Sequence, residues 1–465
     1  MPFLDRKNKT SKAIVPLKES ELQSWLKKQP KDTQNWVKDM DFSAKSGSLL
    51  AVPGKDGAAD TFLYGMSEEL DIYTFASLPQ SLPENKGGYF IDRDLGKDDA
   101  TLAAMGWEFG QYQFDEYKKT TNTAKPEQKL QWPKKADKDA VKTTTQAIFL
   151  IRDLINTPTN DMGPDNLEQI CRELTKQFNA QSPKVIRGND LLKENYPAIH
   201  AVGRASDKEP RLIDFTWGDE DAPKVTLVGK GVCFDTGGLN MKSGGNMALM
   251  KKDMGGAAHV LGLAQMIMAS DLPVRLRVLV PAVENNIDGN AFRPSDVIDT
   301  RKGLSVEIGN TDAEGRLILA DALAEACTEK PDLLMDFATL TGAARVALGP
   351  DIPPIFTNDD QTAEDLLEAA DRTNDPVWRL PLWKKYEKMI ASDIADVNNS
   401  GGSFAGAITA GLFLQKFVEK DIPWVHIDTY GWNPSAKPGS PKGGEAYAVR
   451  ASFDMIKKRF GGPKK

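Results

Sequence analysis

The chain has 465 residues, 40% hydrophobic and 8% aromatic, with a formal net charge of −7. That length exceeds one ordinary core, so two domains are expected. The acidic balance argues against whole-chain affinity for nucleic acid or anionic membrane, and no apolar run approaches the ~18 residues of a membrane span.

The first residues, Met1 to Lys9, lack the apolar core of a signal peptide. Cys171, Cys233 and Cys327 make no metal-ligand spacing and suit a reducing cytoplasm. The three histidines, His200, His259 and His426, form no H-E-x-x-H motif, so any metal site must be built mainly from carboxylates.

Residues 1–117 read as a small N-terminal α/β domain. Strands are expected over Ser48–Pro53, Thr61–Tyr64, Tyr73–Leu78 and Gly88–Ile91, and a helix over Lys97–Tyr112. Residues 118–138 are lysine-rich, poor in apolar residues and broken by Pro126 and Pro133. They read as a linker, either a solvated hinge or a basic contact for nucleic acid. Residues 139–465 form the larger domain. Helices are expected over Thr143–Asn156 and Gly163–Phe178, and a strand from Lys184 to Ile186. Apolar strands follow at Val225–Val228, Arg275–Val280, Leu333–Phe337 and Trp424–Ile427. Strands apolar on both faces, with helices between them, imply a mixed, mostly parallel sheet covered on each side. Ligands gather at the carboxyl ends of such strands.

One glycine-rich segment, Gly229 to Ala258, follows directly on Val225–Val228. Its glycines let the backbone close around something small, but it contains neither phosphate-binding pattern, G-x-x-x-x-G-K-[ST] or G-x-G-x-x-G. Asp253 opens an apolar, buried helix over Met254–Met268, a costly place for an isolated charge. The second segment, Asn310-Thr-Asp-Ala-Glu-Gly-Arg-Leu317, precedes a helix over Leu317–Glu329. On an extended backbone its alternation turns Asp312, Glu314 and Arg316 to one side. Alone, the octapeptide reads more simply as a solvated loop with charges at a helix start; the upstream segment overturns that reading.

If Asp235, Asp253, Asp312 and Glu314 converge, each close pair repels by about 4 kcal/mol at roughly 4 Å and an effective dielectric near ~20. Several such pairs rival the ~5–15 kcal/mol that holds a fold together. Convergent groups then protonate or enclose divalent cations; the alternative is that they lie apart on the surface. Two cations of charge +2 balance four carboxylates, the oxygen-rich ligation of two-metal hydrolytic sites.

In wording and spacing both segments resemble the leucyl aminopeptidases, the M17 cytosol aminopeptidases. Asn156-Thr-Pro158, Ala338-Thr-Leu-Thr-Gly-Ala343 and Ala405-Gly-Ala-Ile-Thr-Ala410 carry the resemblance over about residues 140–465. The N-terminal region fits the family's smaller domain, macro-domain-like by that resemblance. The resemblance implies an enzyme that removes the N-terminal residue, leucine or another mostly apolar one, from peptides with a free N-terminus. It implies two divalent ions, Mn²⁺ or Zn²⁺. Lys230, Asp235, Asp253 and Glu314 would hold the tight one, and Asp235, Asp312 and Glu314 the exchangeable one. Lys242 would polarise the scissile carbonyl, and Arg316 would hold a bicarbonate ion acting as general base. Asp253 would also bind the substrate amine, and Met250 and Thr339 would line the side-chain pocket. A cytoplasmic homohexamer is implied as well.

Two departures from the family pattern stand out: Ala248 where an acid is usual, and Tyr430 and Trp432 where small residues are usual. His259 and His426 read as core or interface histidines, His200 as a strand-edge residue, and Cys233 as an inert buried thiol. Two other functions stay open: nucleic-acid binding through the N-terminal domain and linker, and a two-metal phosphoesterase.

Overall fold

The computed structural model describes residues 2–119 and 127–462. They divide into two compact units: residues up to Gln146 with Ser435–Lys442, and Ala147–Pro434 with the segment from Gly443 onward.

The first unit is built on six strands: β1 (Phe3–Leu4), β2 (Lys12–Leu17), β3 (Leu49–Pro53), β4 (Ala59–Gly65), β5 (Tyr89–Ile91) and β6 (Leu130–Gln131). They run in the order β1-β6-β5-β2-β4-β3, parallel except for β3 against β4. Alternation along β2 and β4 sends Ile14 and Phe62 into one core with Tyr89 and Trp107, and Val15 and Leu63 into another with Leu22 and Val37. Both faces are therefore buried.

Three expectations change here. Tyr73–Leu78 is a run of turns entering the short helix Leu78–Ser81, because Asp71 accepts from the Tyr73 N–H (2.8 Å) and the Thr74 hydroxyl (2.9 Å) and closes the chain locally. β2 was not foreseen, since Pro16 interrupts its apolar run. Part of the linker segment, 120–126, lies outside the described residues. Its remainder holds β6, whose Leu130 is fully buried and pairs with Phe3 and Tyr89.

The second unit contains β7 (Lys184–Arg187), β8 (Arg211–Trp217), β9 (Lys224–Gly229), β10 (Gly231–Asp235), β11 (Arg275–Asn285), β12 (Val297–Ile298), β13 (Val306–Glu307), β14 (Leu333–Ala338), β15 (Pro354–Thr357), β16 (Trp378–Arg379), β17 (Val397–Asn398) and β18 (Trp424–Asp428). The main sheet runs β16-β15-β18-β14-β9-β11-β8-β7, with β10 beside β11. Its centre, β18-β14-β9-β11, is wholly parallel, while β7, β8 and β15 bring in antiparallel pairs. This is a mixed, mostly parallel sheet. Helix Gly255–Ala269, buried almost all round, and helix Gly315–Ala326 pack against it. Among the described residues no helix is long and apolar enough to cross a membrane.

Candidate metal centre

Strands β9, β10, β11, β14 and β18 are mutually parallel, so their carboxyl ends lie on one edge of the sheet. Lys230 follows β9, Asp235 ends β10 and Thr339 follows β14. Asp253 sits in the 3-10 helix Met250–Met254, which leads into helix Gly255–Ala269. Gly256 makes that entry possible: a Cβ there would stand 2.1 Å from the Phe337 carbonyl oxygen of β14.

Asp312, Glu314 and Arg316 do not alternate along an extended strand, contrary to the expectation from their spacing. Thr311 and Asp312 form a turn, Glu314 already has helical angles (φ −71°, ψ −35°), and Arg316 lies in the first turn of Gly315–Ala326. The helix-forming run reaches back to Glu314. Asn310 tightens the turn by accepting from the Asp312 N–H at 2.9 Å, and Asn399 Nδ2 donates to the carbonyls of Asn310 (2.8 Å) and Ala313 (3.3 Å).

The turn still brings the acids together. Asp235, Asp312 and Glu314 each offer one oxygen, all within 4.8 Å of one another. Lys230 Nζ lies 2.8 Å from Asp253 Oδ2 and 3.0 Å from Glu314 Oε1, and donates to the Thr339 carbonyl at 3.0 Å. Lys242 Nζ lies 2.7 Å from Asp235 Oδ2 and also bonds Asp312. Asp235 Oδ1 accepts from Gly237 N–H and Asn285 Nδ2, both at 2.8 Å, and Asp253 Oδ1 accepts from the Thr339 hydroxyl at 2.7 Å. Glu314 Oε2 is buried with no hydrogen-bond partner, in a cluster of four carboxylates against two lysines. An unsatisfied carboxylate oxygen among convergent carboxylates fits hard divalent cations.

The electrostatics agree. Burial, with the neighbouring Asp253 charge, pushes Asp235 up to about 6. Burial and the Asp235 charge push Glu314 up to about 7. Burial disfavours charge on Lys230 and Lys242, but the carboxylates outweigh it and hold both ammoniums above their ordinary values. Arg316 is buried, which brings its guanidinium down to about 10. Its Nη1 donates to the Asn399 carbonyl at 2.6 Å, whereas Nε has no partner.

The cluster opens into a cavity of about 640 Å³ lined in part by Met250, Thr339, Lys252, Arg345 and Tyr430. The Thr339 hydroxyl is committed to Asp253 and its carbonyl to Lys230.

Residues 149–453 match the family model described as the cytosol aminopeptidase family, catalytic domain, and residues 13–133 match the M17 aminopeptidase N-terminal domain. The chain belongs to the M17 cytosol aminopeptidase family. The crystal structure of a cytosol aminopeptidase from Coxiella burnetii is 48% identical, with a TM-score of 0.93 over 98% of this chain and 99% of that one. The bottromycin maturation enzyme BotP in complex with Mn is 30% identical, with a TM-score of 0.86 over 97% of this chain and 99% of that one. A probable cytosol aminopeptidase of Chlamydia abortus is 44% identical over 319 residues, 67% of this chain but 64% of that protein's length. The M17 match over the N-terminal region does not favour a nucleic-acid-binding role for it.

Other residues of this M17 chain are spoken for. His259 Nε2 accepts the Tyr447 N–H at 3.1 Å, so its Nδ1 carries the proton that bonds the Gly255 carbonyl at 2.6 Å; burial brings it down to about 4. His426 Nδ1 lies 2.6 Å from Asp336 in the core. His200 is in helix Pro197–Gly203, not at a strand edge, because Pro197 sits where a helix accepts proline. Cys233 is buried and its thiol is pushed well up by that burial. Ala248 caps the short helix Gly244–Met247, Tyr430 lines the cavity, and Trp432 is buried beneath Lys251.

Sequence reasoning missed Asn285 and Asn399, which orient Asp235 and the Arg316 turn. Asn285 ends β11, expected to stop at Val280; the apolar pair Ala282-Val283 beyond Pro281 was the available signal. Lys252 and Arg345 were also missed.

Proposed function

We propose that this chain is a two-metal aminopeptidase that removes the N-terminal residue, leucine or another mostly apolar one, from peptides with a free N-terminus. The convergence of Asp235, Asp312 and Glu314, with Lys230 and Asp253 beside them, is the observation that carries this reading. Lys230, Asp235, Asp253 and Glu314 would hold one divalent ion, Mn²⁺ or Zn²⁺, and Asp235, Asp312 and Glu314 the other. Such a pair supplies an acidic water and polarises the scissile carbonyl. Lys230 ligates as the amine, so binding there must release its proton.

The chain's own groups do the rest. Asp253 accepts from the substrate ammonium, which restricts cleavage to free N-termini. Lys242, freed from Asp235 and Asp312, donates from Nζ to the oxyanion that develops on the carbonyl. Arg316, with Nε unpaired at the start of helix Gly315–Ala326, would hold bicarbonate, the proton acceptor for the attacking water. Met250 adapts to varied aliphatic side chains. The reading extends to a homohexamer, on the family resemblance alone, and to a cytoplasmic location, which the relatives' names and three free cysteines support.

The test is release of leucine from leucine amide or a leucyl peptide after loading with Mn²⁺ or Zn²⁺. Cleavage that disappears on N-acetylation is expected. A fully loaded protein that leaves every unblocked peptide intact, or cleaves phosphate esters instead, overturns the reading.

A further inference from the structure

Lys252 and Arg345 both lie over one aromatic ring. Lys252 Nζ lies 5.1 Å from the Tyr430 ring centroid and the Arg345 guanidinium 4.8 Å from it. Lys252 is only 5% exposed, yet it and Arg345 both line the cavity into which the carboxylate cluster opens. Among the described residues neither side chain has an ion-pair or hydrogen-bond partner, Arg345 being exposed at the cavity's lining; Asp253, next to Lys252 in sequence, is engaged by Lys230 and Thr339. A buried cation whose nearest acid is shared with Lys230 is poorly compensated, and a second cation over the same ring adds repulsion.

The element that carries Arg345 is held firmly. Asp428 at the end of β18 accepts from the N–H groups of Leu340 (3.0 Å) and Thr341 (3.2 Å), and the Thr341 side chain caps helix Gly342–Leu348 by accepting from Ala344 at 3.1 Å. The guanidinium is thus presented from a fixed turn.

We propose that Lys252, Arg345 and Tyr430 form a carboxylate-binding subsite of this cavity. The cavity then holds this cationic pair besides the carboxylate cluster, matching a substrate that carries both an amine and a carboxylate. A carboxylate takes two parallel hydrogen bonds from Arg345 and charge from Lys252, while its aliphatic part lies on the Tyr430 ring. The carboxylate comes either from the C-terminus of a dipeptide or from an acidic first side chain. Peptides starting with Lys or Arg are disfavoured. This inference rests on the aminopeptidase reading for its substrate class, though not for the binding of the anion itself.

Two matched pairs tell the sources apart in the metal-loaded full chain: Leu-Gly against Leu-Gly amide, and glutamyl against glutaminyl p-nitroanilide. In at least one pair the free carboxylate should be favoured about tenfold in kcat/KM, through KM, and Arg345→Ala or Lys252→Met should bring that ratio to within about twofold of unity. A merely structural role lowers both members of a pair alike and leaves the ratio standing. Ratios near unity in the wild type, or ratios that survive Arg345→Ala, overturn the proposal. If no substrate is cleaved, the aminopeptidase reading has failed, and titration calorimetry with glutarate decides the subsite: binding weakened about tenfold or more by Arg345→Ala supports it, and equal or absent binding overturns it.

Discussion

At this centre the position of Lys230 depends on a neighbour with no side chain. That neighbour is Gly315: a Cβ there would stand 2.4 Å from Lys230 Cε and 2.7 Å from Nζ. Its backbone angle is ordinary for any residue, so Gly315→Ala leaves the helix intact and pushes Lys230 away from Glu314. We expect a folded protein with unchanged circular dichroism but at least about fivefold weaker metal binding, since overpacking of this kind costs ~1–3 kcal/mol. Metal content after dialysis at graded free Mn²⁺ checks it; wild-type affinity would refute a positioning role for that contact. Asp235→Asn and Glu314→Gln should lose both metal and activity. Lys242→Met should keep its metal and lose roughly 10²–10³ in kcat, the usual cost of one oxyanion donor. Retained turnover in Asp235→Asn would refute the ligand assignment.

At the level of elements, the helices and the buried strands were legible because their apolar periods are long: Pro164–Gln177, Gly255–Ala269, β9, β14 and β18 stand within a few residues of expectation. The octapeptide was legible as text but not as shape. Its alternation suggested a strand, whereas hydrogen bonds from Asn310 and Asn399, the latter 82 or more residues away, set a turn. Long-range partners of this kind leave no local period. Two of them yield element-scale predictions. Arg152 and Glu445 form a buried bidentate pair, 3.0 and 2.9 Å, joining helix Lys138–Asn156 to the segment after Gly443. Glu445→Ala removes the bidentate carboxylate from a buried guanidinium and should cost ~3–5 kcal/mol, much of it recovered in the Arg152→Met/Glu445→Leu double variant; denaturant unfolding of the three proteins tests this. In the first unit, the hydrogen bond from Arg93 lowers Glu21 from 4.5 to about 2. A carboxyl depressed on folding stabilises above the unfolded pKa, so its contribution is complete above pH 4.5 and lost as pH falls toward 2. The pair is partly solvent-exposed, so the effect is modest. Glu21→Gln should flatten the acid limb of the first unit's stability in that window, read by acid titration of its tryptophan fluorescence.

For the whole molecule, the metal centre and the fold draw on the same free energy. Four carboxylates meet two lysines at the edge of the larger sheet, and burial together with mutual repulsion already lifts Asp235 and Glu314 well above ordinary acids. Cations that bind this arrangement and not the unfolded chain stabilise it by RT ln(1 + [L]/Kd), about 2.7 kcal/mol at ~100 times Kd. Adding Mn²⁺ or Zn²⁺ to chelator-treated protein should therefore raise the unfolding temperature of the second unit progressively with concentration. The transition of the first unit, which lacks these ligands, should stay in place. Asp235→Asn and Glu314→Gln should abolish the shift, while Arg345→Ala should retain it, because the cationic pair holds no metal. Differential scanning calorimetry separates these outcomes without any substrate. A shift that survives in Glu314→Gln would mean that the ions bind elsewhere, and the two-metal reading of the centre would fall with it.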